Sequence, residues 1–179
     1  AAASKNLTPV TLELGGKSPA IVCASAPVRL SCERIAKGKF LNAGQTCVAP
    51  DYVLVHEKVH GEFIRTMKEV ISEYFGDISV RPAEMTLMAT KRHFDRVASL
   101  IPSDVASGKV IGGYTDPSIN YISPTVLDNC SWDDPAMQEE IFGPVLPVIV
   151  FNDLQTEAID KVRAGEKPLS LYVFSKDRK

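Results

Sequence analysis

The strongest constraint on this chain is how its hydrophobic period changes from one segment to the next. Short apolar, β-branched runs alternate with segments of helical period, the pattern of helices crossing between neighbouring parallel strands. Val10 to Leu14 alternates like a strand and stops at Gly15-Gly16, and Ala20 to Cys23 is a second short apolar strand. From Val28 to Leu41 apolar residues recur at Val28, Cys32, Ile35, Ala36 and Phe40, a helical spacing, with Gly44 where a helix would stop. Tyr52 to Val55 reads as a strand, Val59 to Tyr74 and Met88 to Leu100 as helices, and Lys109 to Ile111 as a short strand before Gly112-Gly113. Gly143 to Phe151 is an apolar run carrying Pro144 and Pro147, Leu154 to Ala164 reads as helix, and Leu169 to Phe174 as a final buried strand. The predicted fold class is therefore α/β: one layered domain over residues 1–179 with a mostly parallel sheet. Ala1 to Lys5 has helix-forming composition but is too short to persist alone, and reads as the tail of something larger.

Charge narrows the partners. With 20 Lys+Arg against 22 Asp+Glu and no long block of either sign, nothing favours nucleic acid or an anionic membrane surface. The apolar stretches around Ser18 to Val28 and Ile141 to Phe151 are broken by prolines and fall short of the ~20 residues of a membrane span. Cys23, Cys32, Cys47 and Cys130 are widely spaced in a chain large enough to fold without staples, so they read as free thiols and the expected location is cytoplasmic.

Several short patterns suggest chemistry. His56-Glu57-Lys58-Val59-His60 matches H-E-x-x-H, but a zinc site needs both histidines on one helix, and His56 directly follows a strand. It reads as a strand-to-helix turn, and no metal site is expected. Gly16-Lys17-Ser18 resembles the end of a P-loop, yet Thr11 stands where the first glycine would be. Cys23 and Cys32 read as small buried hydrophobes, and Cys130 is left without assignment. Cys47 differs. Gly44-Gln45-Thr46-Cys47-Val48-Ala49-Pro50 puts a thiol in a loop behind a helix stop, among small residues that leave sulfur accessible.

Glu13-Leu14-Gly15-Gly16-Lys17, Gly44-Gln45-Thr46-Cys47 and Glu139-Glu140-Ile141-Phe142-Gly143-Pro144 resemble, in this order, three signature segments of the aldehyde dehydrogenase superfamily. Val48-Ala49-Pro50-Asp51-Tyr52 and Lys167-Pro168-Leu169-Ser170-Leu171-Tyr172 resemble its class 3 and fatty-aldehyde branch. The resemblance covers the whole chain and implies a catalytic domain oxidising an aldehyde to a carboxylic acid with NAD or NADP. It implies Cys47 as the nucleophile, a thiolate that adds to the carbonyl and forms first a thiohemiacetal and then a thioester. It implies Glu13 as the base that activates water against the thioester, a task suited to a carboxylate made more basic by partial burial. Glu140 is similar to the residue that accepts from the nicotinamide ribose hydroxyls, Phe142 to the aromatic beside that ribose, and Leu14 and Gly15 to backbone contacts with the nicotinamide. Glu139 and Lys17 are assigned no catalytic part; Lys17 is expected to support its loop.

The family also carries an N-terminal dinucleotide-binding domain, and an Asn that shares the oxyanion site with the nucleophile's own N–H; neither has a match in this chain. Loss of one oxyanion donor costs about 100- to 1,000-fold in rate, so the chain alone is expected to be inactive, and the full-length protein to be a homodimer. Two other functions remain open on the residues alone: a cofactor-independent thiol esterase using Cys47, and a noncatalytic association module.

Overall fold

The computed structural model describes residues 1–103 and 109–177. Four strands run parallel side by side: β1 (Pro19–Val22), β2 (Tyr52–His56), β7 (Val145–Phe151) and β8 (Tyr172–Phe174). With β3 (Val110–Ile111) and β6 (Thr125–Leu127) they form a six-stranded sheet of order β3-β6-β7-β2-β1-β8, in which only the β3–β6 pair is antiparallel. A separate antiparallel pair joins β4 (Thr115–Asp116) to β5 (Tyr121–Ile122). The predicted α/β class with a mostly parallel sheet is what the chain adopts.

Side chains alternate across this sheet, and both faces are covered, so its central strands read as unbroken apolar runs. Ala20, Val22, Val53, Val55, Leu146 and Val148 face one cluster, which α1 (Val28–Phe40) and α2 (Glu57–Phe75) complete. Ile21, Tyr52, Leu54, Ile149 and Phe151 face the opposite one with Met137 and Ala158. On α2 the buried residues are Phe63, Met67, Val70 and Ile71, a stripe repeating every three or four positions. A third cluster lies under α3 (Lys91–Ala98) and includes Phe94, Val97, Tyr121, Ile141 and Val145.

Four segments differ from expectation. Val10 to Leu14 is not a strand: among the described residues it has no ladder partner, and Val10, Leu12 and Leu14 are largely exposed. Its alternation supplies an apolar face, but alternation without a neighbouring strand makes no sheet. The final strand is shorter than Leu169 to Phe174 and is not buried, because β8 lies at the sheet edge and is paired only with β1. The helix after Met88 begins at Lys91, where the Thr90 hydroxyl caps it by accepting from the His93 N–H at 3.2 Å. Leu154 to Ala164 is helical but opens as a π turn (Leu154–Ile159) capped by Asp153 before α5 (Asp160–Ala164). No helix among the described residues is long and apolar enough to cross a membrane.

Since β1, β2, β7 and β8 are parallel, the segments that immediately precede them all emerge at the same edge of the sheet, the amino edge. Those segments are residues 13–18, 44–51, 139–144 and 167–171. The core holding that edge is tightly sealed: Phe63 has no exposure and its carbonyl accepts from the Cys32 thiol. Truncating Phe63→Ala should lower stability by about 3–5 kcal/mol, seen as a lower urea midpoint with an unchanged slope.

Candidate active site

One carboxylate gathers three of these segments. Asp51, nearly sealed, accepts from Lys17 Nζ at 2.7 Å through one oxygen and from the Ile141 N–H at 3.0 Å through the other. Lys17 Nζ also donates to the carbonyls of Ala136 at 2.6 Å and Glu139 at 3.1 Å, and stands 5.6 Å from the Tyr52 ring centre. All three donors of this ammonium are therefore used in structure. Lys39, the second cation beside Asp51, is fully buried with Nζ 3.8 Å from the carboxylate, and no hydrogen bond reaches it. Desolvation lowers its ammonium from 10.5 to about 8, against the pull of Asp51.

The thiol loop is built from unusual backbone. Asn42, Ala43 and Gly44 take left-handed φ values of 52°, 53° and 72°, turning the chain sharply off the C-terminal end of α1. A β-carbon on Gly44 would lie 2.3 Å from the Gly143 carbonyl oxygen, so only glycine permits this approach of the two signature segments. Gln45 fixes the next step: its amide donates to Asn42 and Leu87 carbonyls, both at 3.1 Å, and accepts from the Ala89 N–H at 2.9 Å. On the far side of Cys47, Tyr172 at the start of β8 donates its hydroxyl to the Val48 carbonyl. Between these anchors Cys47 lies in a turn, half-buried, with no hydrogen-bond partner among the described residues. The other thiols are occupied by burial: it pushes Cys32 and Cys130 up to about 12 and raises Cys23.

The segment opposite is clamped from α3. Arg96 donates to Glu139 Oε1 at 2.6 Å and to the Ile141 carbonyl. His93 Nε2 lies 2.7 Å from the Phe142 carbonyl, which can only accept; Nε2 therefore carries the proton and Nδ1 faces Arg96 as an acceptor. Phe142 is held at a φ of 52° with its half-buried ring tilted against His93. The carboxylate of Glu140 lies directly over Gly15, where a β-carbon would sit 2.5 and 2.7 Å from its two oxygens, and no donor among the described residues reaches them. Glu140, Leu14, Gly15 and Lys17 border a cleft of about 790 Å³, continued by Trp132 and Pro168. Two free acceptor oxygens at a cleft wall can take a pair of neighbouring hydroxyls, as on a ribose.

The sequence pattern of the aldehyde dehydrogenase family matches residues 1–179. The chain belongs to the aldehyde dehydrogenase family. It is 47% identical over 176 residues to the 4,4'-diaponeurosporen-aldehyde dehydrogenase of Staphylococcus aureus (strain NCTC 8325 / PS 47), covering 98% of this chain and 38% of that protein. It is 44% identical over 179 residues to the rat protein named aldehyde dehydrogenase, dimeric NADP-preferring, covering 100% of this chain and 39% of that one. A solved structure titled as the substrate-bound state of Staphylococcus aureus AldH superposes with a TM-score of 0.90 at 45% identity, over 99% of this chain and 38% of that one. The chain thus spans about two-fifths of the length of these relatives.

Within this chain the structure brings Leu14, Gly15 and Glu140 together at one cleft, and locks the Cys47 loop against the segment carrying Phe142 through Gly44 and Gly143. It does not join Glu13 to Cys47: no hydrogen bond links them, and Glu13 is exposed rather than partly buried. The adjoining residues 10–14 have no strand to hold them, so nothing here encloses that carboxylate. In the H-E-x-x-H stretch, His56 ends β2 and accepts from the Lys58 N–H, while His60 on α2 pairs with Asp128 at 2.6 Å, so the two histidines serve different contacts. Sequence reading missed Asp51, Lys39, His93 and Arg96. Only Lys39 carried a local signal, since it falls on the apolar face of α1 with Val28, Cys32, Ile35, Ala36 and Phe40.

Two outcomes follow from this geometry. Gly44→Ala adds both a left-handed β-carbon and a backbone collision, so stability should fall by at least about 2 kcal/mol in urea unfolding. Between pH 8 and 10.5 the folded chain binds fewer protons at Lys39 than the unfolded chain does, so this group's contribution to stability rises with pH there. Cys32 and Cys130 act in the opposite sense above pH 9, because folding raises their proton affinity. The stability difference between wild type and Lys39→Met cancels the thiols, and should move in favour of wild type as pH rises through that window.

Proposed function

We propose that this chain is the thiol-bearing part of an NAD(P)-dependent aldehyde dehydrogenase that converts aldehydes to carboxylic acids. The observation that carries the reading is the pairing of an unpartnered, accessible Cys47 with a segment presenting the two unpartnered oxygens of Glu140, the two loops being fixed to each other by backbone contact at Gly44 and Gly143. Cys47 Sγ attacks the carbonyl carbon; a C–S bond forms, the carbonyl oxygen gains a proton, and a thiohemiacetal stands on the thiol. The backbone N–H of Cys47 stabilises the oxygen while it is charged. NAD(P)+, when bound, would supply the acceptor for the hydride lost from the thiohemiacetal carbon, the hydroxyl proton leaving to water as the thioester forms. Glu140 would hold the ribose hydroxyls, with Phe142 beside the ribose and the Leu14 and Gly15 backbone toward the nicotinamide. Water, losing a proton to Glu13, attacks the thioester; the C–S bond breaks and the acid leaves as the thiol is restored.

The dimeric, NADP-preferring rat relative supports a homodimer and NADP use, and the four free thiols fit a reducing, cytoplasmic compartment.

Two measurements test the reading. On the chain itself, iodoacetamide should label Cys47 first and well ahead of Cys23, Cys32 and Cys130, and Cys47→Ser should remove the fast phase. In the enzyme that includes this chain, Glu13→Gln should keep a stoichiometric burst of NAD(P)H while slowing turnover by about 100-fold or more. Ester hydrolysis at full rate without NAD(P)+, and no burst with aldehyde, would instead identify a thiol esterase.

A further inference from the structure

Lys39 is the one described residue whose buried side-chain nitrogen has no hydrogen-bond partner. A sealed ammonium is expensive to keep, with an effective penalty of several kcal/mol per ion even after relaxation, and an apolar side chain of similar volume commonly serves stability as well or better. The position itself tolerates apolar neighbours, since Val28, Cys32, Ile35, Ala36 and Phe40 share its face of α1. Stability alone therefore gives no account of the charge.

Its surroundings do. Lys39 is in the last turn of α1, where unpaired carbonyls carry partial negative charge, and the Cys47 loop leaves from that end. Among the described residues the charged groups acting on it are the carboxylates of Asp51 and Glu140, which attract it, and the ammonium of Lys17, which repels it. Asp51 Oδ1, the oxygen 3.8 Å from Lys39 Nζ, is the same oxygen that accepts from the Ile141 N–H. Ile141 directly follows Glu140 and precedes Phe142. We propose that Lys39 is a positioning residue for the thiol site: its sealed charge fixes the Asp51 carboxylate in the orientation that holds Ile141, and so sets where Glu140 and the Gly143 contact to the Cys47 loop stand. The proposal rests on the functional reading of Cys47 and Glu140 given above, but its test does not.

Burial lowers this ammonium to about 8, so it sheds its proton within an accessible pH range, while Asp51 has its second cation in Lys17 at 2.7 Å. Below that pH the Asp51 carboxylate is held by two cations and the Ile141 amide; above it, Lys17 draws the carboxylate alone. The grip on Ile141 should loosen in step with the titration of Lys39.

The test uses the 179-residue chain with 13Cε-labelled lysine. One lysine should titrate near pH 8 and vanish from the spectrum in Lys39→Met. Over the same pH range, protection of the Ile141 amide against hydrogen exchange, corrected for the intrinsic rate, should fall about tenfold in wild type. It should be flat in Lys39→Met. Asp51→Asn, which removes the nearest attracting charge, should move the lysine midpoint to lower pH. The proposal is overturned if Lys39 titrates but Ile141 protection stays flat in wild type, or if wild type and Lys39→Met respond alike. Should Lys39→Met fail to fold, the coincidence or separation of the two wild-type midpoints decides the matter. The functional reading fails on a different observation: Cys47 alkylated no faster than the buried thiols sinks it, whatever Lys39 and Ile141 do.

Discussion

The arrangement turns on the carboxylate of Asp51, a nearly buried anion that must be satisfied on every side. A charge in that environment is tolerable only with close, well-oriented partners. Its partners come from far apart in the chain: Lys17 before β1, Lys39 at the end of α1, and the Ile141 amide before β7. Satisfying one anion therefore brings three loops to one point. Lys17 extends the effect, because its remaining donors reach the carbonyl of Ala136 within the short helix α4 (Pro135–Gln138) and that of Glu139 just after it. Remove the anion and two cations are left facing each other with nothing between them.

The place of this hub follows from topology. Parallel strands joined by helical crossovers return the chain to the amino edge before each new strand, and each return here is a signature segment. Open α/β sheets more often bind ligands at the carboxyl edge. The choice of edge matters for the thiol, since Cys47 follows the C-terminal end of α1 and receives none of the positive potential a helix N-terminus would give.

Much of the fold was legible because strand and helix periods are local properties. The buried stripe of α2 and the unbroken apolar runs of β1 and β2 are written within a few residues of each other. What failed to read was what depends on a neighbour. Val10 to Leu14 has strand-like alternation but no partner to pair with, and β8 is apolar yet exposed because it falls at an edge. The site divides in the same way. Cys47, Glu140 and Gly15 could be picked out by motif, whereas Asp51, Arg96 and His93 act through contacts to residues dozens of positions away, with no periodicity to announce them. Lys39 is the intermediate case, since a cation on the apolar stripe of a helix is an anomaly visible to counting alone.

The stiffness of the thiol loop comes from backbone more than from side chains. A β-carbon on Gly143 would lie 2.7 Å from Val97 on α3, one on Gly44 would lie 2.3 Å from the Gly143 carbonyl, and the loop after Gly44 carries Cys47. Val97 is fully buried in the cluster with Phe94 and Val145, so this series of contacts starts from a fixed wall. Each contact leaves no room for a side chain, and a close-packed interior transmits displacement instead of absorbing it. The same helix holds Glu139, Ile141 and Phe142 through Arg96 and His93. Helix α3 thus touches both the Cys47 loop, through Gly143 and Gly44, and the segment carrying Glu140, through Arg96 and His93.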